Sequence, residues 1–290
     1  RKFKLPILEV KNLTHTYGGD TPFFTDAVKN ISFGIEKGEI IGIIGHTGSG
    51  KSTLVQHLNG LLKPTEGDVF LDGKNIWENP KLIKNVRFRV GLVFQYPEYQ
   101  LFEDTVYKDI GFGPKNMGLS TDEIDNRIVE ICELVGIKRE YFEKSPFDLS
   151  GGEKRRVAIA GVMAMQPEII VFDEPVAGLD PRGREDIIKM ISDYRKKYNA
   201  TVLIISHNME DMAVLTDKLI VMNNGEMVLF DNTENVFRKY DFLKSIGLNV
   251  PIVTQVMHKL KSMGLDIPDN IFTVDKAVEY LLDVYRGGNT

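Results

Sequence analysis

At 290 residues the chain exceeds the roughly 150 of an average domain, so a large domain or a domain with an appendage is expected and a small stapled scaffold is excluded. Hydrophobic residues make up 42%, enough for a sizeable core, and 36 basic against 41 acidic residues leave a net charge of −5, which argues against a nucleic-acid-coating protein. One cysteine, Cys132, allows no intrachain disulfide, and neither a secretory signal nor the roughly 18 apolar residues of a membrane span is present, so a soluble chain in a reducing cytosol is expected.

In chain order, short β-branched runs bounded by turn residues predict strands at 7–10, 39–44 and 90–94, with a helical pattern over 53–61 after the second. A helix is predicted over 121–135, starting at Thr121-Asp122-Glu123. Ile124, Ile128, Ile131, Cys132 and Val135 form its buried stripe, which makes Cys132 a core residue. An apolar helical stretch follows at 157–165. Strands at 169–172, 202–205 and 219–222 come next. The first two are apolar at consecutive positions, as parallel strands covered on both faces are. Between them, 181–197 opens on Pro181 and closes on Arg195, Lys196 and Lys197, a helix with basic residues at the negative end of its dipole. Strands alternating with helices imply an α/β fold. From Asp241 onward, Gly247, Pro251, Gly264 and Pro268 divide short amphipathic segments, so 241–290 reads as a helical C-terminal extension. Trp77, the only tryptophan, is expected to pack locally.

Gly45-His46-Thr47-Gly48-Ser49-Gly50-Lys51-Ser52 fits G-x-x-x-x-G-K-[ST] between a strand and a helix, the context of a phosphate-binding loop. Gly45, Gly48 and Gly50 let the backbone turn so that amides, with those of Ser49 and Thr53, face phosphate. Lys51 adds a point charge and Ser52 a hydroxyl ligand for Mg²⁺. His46 and Thr47 are wildcard positions with no assigned chemistry. The strand at 169–172 runs into Asp173 and Glu174, at the strand end where a metal-triphosphate would sit. Asp173 is suited to hold Mg²⁺ and Glu174 to orient the water that attacks the γ-phosphate. Leu149-Ser150-Gly151-Gly152-Glu153 ahead of a helix reads either as a second anion site or as an ordinary N-cap with glycines.

With these segments in this order, the chain resembles the ATP-binding cassette (ABC) family over roughly residues 6–240. The resemblance implies a P-loop NTPase with a RecA-like core, an antiparallel β subdomain and a helical signature subdomain over about 98–152. Gln95 matches the family's Q-loop, a sensor of Mg²⁺ and γ-phosphate; Gly178-Leu179-Asp180 matches the D-loop, and His207 the switch histidine. Tyr17, in Thr16-Tyr17-Gly18, looks like the aromatic that stacks on adenine. Glu153 stands where the family signature carries glutamine, and Val176 where it generally carries Thr or Ser.

Three finer segments, 45–50, 95–102 and 177–184, resemble ATPase subunits of energy-coupling factor (ECF) importers for vitamins or transition metals. Thr47 and Ala177-Gly178 resemble the second, A-prime, form of the pair. Homodimeric cobalt and nickel importer ATPases are close relatives. Cassettes acting on nucleic acid or the ribosome are disfavoured: Gln95 and Ser150 are too near for an inserted coiled coil, and a single phosphate loop is present. The resemblance implies Mg²⁺-dependent ATP hydrolysis at the cytoplasmic face of the membrane. It also implies a second ABC ATPase as heterodimer or homodimer partner, a transmembrane coupling subunit, a substrate-binding membrane subunit, and no nucleic acid. The segment from Tyr96 to Asp109, where Glu98, Glu103, Asp104 and Asp109 interleave with aromatics, is the expected dock for the membrane partner.

Overall fold

The structure, a computed structural model, describes residues 5–18 and 24–287; the last positions of the expected extension, 288–290, lie outside them. The elements in order are β1 (Leu8–Tyr17), β2 (Thr25–Ile35), β3 (Ile40–Gly45), α1 (Lys51–Leu58), β4 (Glu66–Leu71), β5 (Lys74–Asn75), α2 (Ile83–Arg89), β6 (Val90–Val93), α3 (Val106–Asn116), α4 (Thr121–Val135) and α5 (Gly151–Met163). After them come β7 (Ile169–Asp173), α6 (Pro181–Tyr198), β8 (Thr201–Ile205), α7 (Met209–Leu215), β9 (Lys218–Asn223), β10 (Glu226–Asn232), α8 (Thr233–Arg238), α9 (Tyr240–Ser245), α10 (Ile252–Ser262) and α11 (Val274–Gly287).

Two sheets carry the fold. The larger runs β10-β9-β3-β8-β7-β6, parallel from β9 to β6 with β10 antiparallel at one edge. The smaller, β2-β1-β4-β5, is antiparallel throughout. Side chains that alternate along a strand explain the apolar runs read from the sequence. Ile41, Ile43, Val171, Leu203 and Ile205 pack with β1, β2 and α1, while Ile40, Ile44, Phe172, Val202 and Ile204 pack against the helices on the other face. Burying both faces of the strands fixes the loops at their C-terminal ends, where β3, β6, β7 and β8 all stop on one edge.

Helix boundaries follow local chemistry. Helix α4 starts at Thr121 as expected, with Ser120 as its cap: the Ser120 hydroxyl accepts from the Glu123 amide and the Glu123 carboxylate accepts from the Ser120 amide. Cys132 is buried on the core stripe, and burial pushes its thiol up to about 12, leaving it a packed apolar side chain. Helix α1 begins at Lys51 rather than Thr53, directly after left-handed Gly50 (φ 97°), so the helix N-terminus abuts the phosphate loop. Trp77 packs against the core between the two sheets.

Beyond β10, Leu243, Leu248, Val250 and Phe272 join the main core, whereas Met257, Ile267, Ile271 and Ala277 form a small core of their own between α10 and α11. No helix among the described residues is long and apolar enough to cross a membrane.

Candidate nucleotide site

Between β3 and α1 the chain must reverse tightly, and glycine is required where backbone closes in. A Cβ at Gly50 would lie 2.2 Å from the Ala27 carbonyl oxygen, and one at Gly45 2.4 Å from that of Met222. The loop is braced from outside: the Gly225 amide donates to Ser49 O at 3.2 Å, and the Lys29 amide to Gly225 O at 2.8 Å. Lys51 is buried, and its Nζ donates to the carbonyls of Gly45 and His46, both at 2.7 Å. Burial lowers its pKa, against the carboxyls of Glu174 and Asp173, which act to raise it.

A cavity of about 860 Å³ opens over this loop. It is lined by Gly48, Gly50, Lys51, Ser52 and Thr53, by Gln95 after β6, by Asp173 and Glu174 at the end of β7, by His207 after β8, and by Tyr17 at the end of β1. Ten of the sequence-predicted residues therefore meet in one space. Gly45 and Ser49 are buried and do not line it; the Ser49 hydroxyl has no hydrogen-bond partner. Sequence reasoning missed Asp26 and Lys29 of β2 and the Asn224-Gly225 turn, all on the wall. Asn-Gly between two strands is a hairpin signal that was there to be read.

The acidic pair is divided by the end of the strand. Asp173 is still in β7, paired with Ile205 of β8. Burial raises its carboxyl, while the Ser52 hydroxyl and the charges of Lys51 and His207 act the other way. Glu174 adopts a left-handed backbone (φ 50°), and its amide donates to Ile205 O at 3.0 Å. A non-glycine residue in this region stores strain, and here the turn swings the carboxyl into the cavity. Burial pushes Glu174 up to about 7, opposed by the His207 amide and Lys51 and reinforced by Asp173. His207 Nε2 lies 3.3 Å from Glu174 Oε1, without the alignment of a hydrogen bond, and burial and the charge of Lys51 lower the imidazole pKa.

Tyr17 is partly exposed, its hydroxyl 3.3 Å from Thr53 Oγ1 and its ring edge-on to His15, which packs on the buried ring of His57. The tyrosine is therefore backed edge-on by two imidazoles, the second of them from α1.

Ser150, Gly151, Gly152 and Asp180 do not line this cavity. Ser150 caps α5 and donates its hydroxyl to Glu153 Oε2 at 2.6 Å, while the Glu153 carboxylate also accepts from the Ser150 amide at 2.9 Å. Both readings of this segment thus share one geometry, a capped helix whose first turn, Gly151-Gly152, is exposed. Asp180 caps α6 through the Gly183 amide. Glu153 is held in its charged form by the Ser150 hydroxyl and amide.

The expected acidic dock between Tyr96 and Asp109 needs correction. Glu98 makes two hydrogen bonds, at 3.0 and 3.1 Å, to Arg155, whose side chain is 5% exposed. Asp109 spends one carboxylate oxygen on the amides of Phe102 and Glu103. Of the four acids, Glu103 is half-buried and Asp104, exposed, pairs with Lys108 one turn on at 3.3 Å, while Tyr99 and Phe102 are exposed. Beside them lies a groove of about 460 Å³ between α2, α3 and α5, with Phe102 and Phe112 in edge-to-face contact and Lys84 and Arg87 also in its lining.

Residues 28–177 match the family model described as ABC transporter. The chain is 50% identical, over 97% of its length and 98% of the relative's, to the energy-coupling factor transporter ATP-binding protein EcfA2 of Caldanaerobacter subterraneus subsp. tengcongensis. It is 51% identical to the protein of the same name in Clostridium perfringens, covering 97% of this chain and 99% of that one. Among solved structures it resembles cbiO1 of Clostridium perfringens, part of the ABC transporter complex cbiONQ (TM-score 0.74, 37% identity, 88% of this chain and 100% of that one). It also resembles the dimeric cassette MJ0796 bound to ADP and Pi (TM-score 0.70, 28% identity, 78% of this chain and 98% of that one).

Proposed function

The chain belongs to the ABC transporter family, among the energy-coupling factor ATP-binding proteins, and from that premise we propose that it hydrolyses ATP as one of two paired cassettes driving an ECF-type importer. The observation that carries this reading is the division of the site. Phosphate loop, acidic pair, Gln95 and His207 share one cavity, while the signature residues lie outside it, so the site awaits a second cassette.

In this reading the triphosphate lies on the amides of residues 48–53, and Lys51 exchanges its two loop carbonyls for phosphate oxygens. Tyr17 stacks on adenine. Glu174 orients the attacking water and takes its proton; a carboxyl at about 7 is matched to that task near neutral pH. His207 holds the γ-phosphate from the other side of Glu174, and Gln95 reports its presence to the groove beside it. The oxygen donors Ser52, Gln95 and Asp173, on adjoining walls of the cavity, fit Mg²⁺, a hard cation, and would hold it. Bound Mg²⁺ neutralises phosphate charge. Ser150, Gly151, Gly152 and Asp180 of this chain close the ATP site of its pair, and alternate closing and opening of the pair moves the membrane partner.

In the same reading, residues 6–240 form the cassette, with 98–152 as its helical subdomain and 241–290 as the extension. A cytoplasmic helix of the membrane coupling subunit docks in the groove lined by Phe102 and Phe112, which places the chain peripherally on the cytoplasmic face. The test is to tag the chain in its native membrane, purify it in detergent and identify what accompanies it. A second ABC ATPase with two kinds of integral membrane protein, and ATPase activity in the complex, is the expected result. Recovery with ribosomes or nucleic acid instead would overturn it.

A further inference from the structure

His46, a wildcard position of the phosphate loop, reaches across the molecule: its Nε2 lies 2.7 Å from the carbonyl oxygen of Ile246, at the C-terminal end of α9. That carbonyl belongs to the last turn of a helix, where acceptors lack intrahelical donors, so the imidazole N–H satisfies it. Gly247 follows with φ 75°, and a Cβ there would come within 3.2 Å of His46 Nε2, so the chain passes close against the ring. Five residues on, the Ile252 amide donates to Glu210 Oε1 at 3.0 Å, and Glu210 sits in α7, just past His207. Between these two points Leu248 and Val250 are buried in the main core. Residues 246–252 thus touch the phosphate loop and the helix that follows His207, and they are anchored rather than draped.

We propose that residues 246–252 form a strut that holds the phosphate loop and the His207 segment in register, and that His46 is a positioning residue for ATP through it. The proposal rests on the nucleotide site described above. The His46 carbonyl accepts from Lys51 Nζ and from the Ser49 amide at 3.1 Å. When Lys51 turns to phosphate it leaves that carbonyl, and the ring's bond to Ile246 then keeps the loop in place together with the Ser49 amide. Without the bond, more of the ordering of the loop falls on ATP binding, so the effect is on KM rather than on the chemical step.

The test is ATPase kinetics of the purified assembled complex carrying the full chain, with thermal melting alongside. His46→Ala should raise KM for ATP roughly 3–10-fold, the size of one hydrogen bond, with kcat changed far less. His46→Gln, whose amide can still donate to the Ile246 carbonyl, should recover most of the loss. An unchanged KM in His46→Ala, or equal losses in His46→Ala and His46→Gln, would each overturn the strut. A wild-type complex without ATPase activity would instead overturn the function proposed above. A variant that melts early yet keeps wild-type KM counts against the proposal, because loss of stability alone does not reproduce the expected split.

Discussion

Glu174 Oε1 and His207 Nε2 stand 3.3 Å apart at the ends of neighbouring strands, the glutamate raised to about 7 and the histidine lowered from its ordinary value. Near neutral pH the pair is a partly protonated carboxyl beside a neutral imidazole.

The protonation state of Glu174 sets the pH dependence of turnover. As the base it must be ionised, so kcat should rise with pH through about 7 and level off above it. For stability the sign is opposite. A carboxyl raised on folding stabilises the chain below its unfolded value, and that contribution is lost as pH rises through about 7. Glu174→Gln should therefore melt higher than wild type at pH 8, with the difference shrinking towards pH 5. Calorimetry of the nucleotide-free chain checks this, and a difference that grows on acidification would contradict the burial argument.

Glu153 places a charged carboxylate on the Ser150 hydroxyl that the composite-site reading assigns to the paired chain's ATP. Glu153→Gln keeps a hydrogen-bonding cap but removes the charge. ATP affinity of the assembled pair should rise roughly 2–5-fold, more at low salt than at high, at a small cost in melting temperature because α5 loses an acid from its first turn. Titration of ATP at two ionic strengths is the check; unchanged affinity at both would remove Glu153 from the site.

Arg155 is buried with Glu98 and the carbonyl oxygen of Ala177 at 2.8 Å, tying α5 to the turn after Gln95 and to the segment beyond Glu174. Removing one partner leaves the other charge buried, so Arg155→Ala and Glu98→Lys should each destabilise the chain by about 3–5 kcal/mol in denaturant unfolding. A change below about 1 kcal/mol would mean that the pair is solvated. Docking is therefore better probed at Glu103 and Asp104: their reversal to lysine should leave ATP binding intact and weaken assembly with the membrane subunit.

Val256 of α10 and Val274, Val278, Leu281 and Leu282 of α11 are exposed, although Val253, Met257 and Leu260 are used by the small core. An apolar face of this kind suits the paired cassette. Val278→Glu with Leu281→Glu should weaken nucleotide-free pairing about tenfold or more in light scattering without altering ATP binding to the single chain. Truncation at Asp241 would be a poor test, because it strips Leu243, Leu248 and Val250 from the main core.

The parallel sheet was legible because strands such as β7 and β8 are buried on both faces and read as unbroken apolar runs. Of the antiparallel strands of the smaller sheet, only the start of β1 was, in the run at 7–10. β4 buries Val69 and Leu71 alone, and β2 carries its apolar residues at alternating positions around Asn30, whose φ of 47° breaks the period. At the site, motifs found the loop and strand-end residues that line the cavity. They missed Asp26, Lys29 and Gly225, which come from elements distant in sequence, and the partner of His46, which is a backbone carbonyl and leaves no residue-type signature. The acids of the docking segment misled for a related reason, since composition cannot tell that Glu98 is committed to Arg155.

The central claim, that Glu174 activates water on an ATP held by the Lys51 loop, is tested most directly by single-turnover hydrolysis in the assembled complex carrying Glu174→Gln. The account predicts ATP binding within about twofold of wild type and hydrolysis slowed by roughly 10²–10⁴-fold, the range of a lost general base. Hydrolysis within a few-fold of the wild-type rate, with ATP bound, would contradict it.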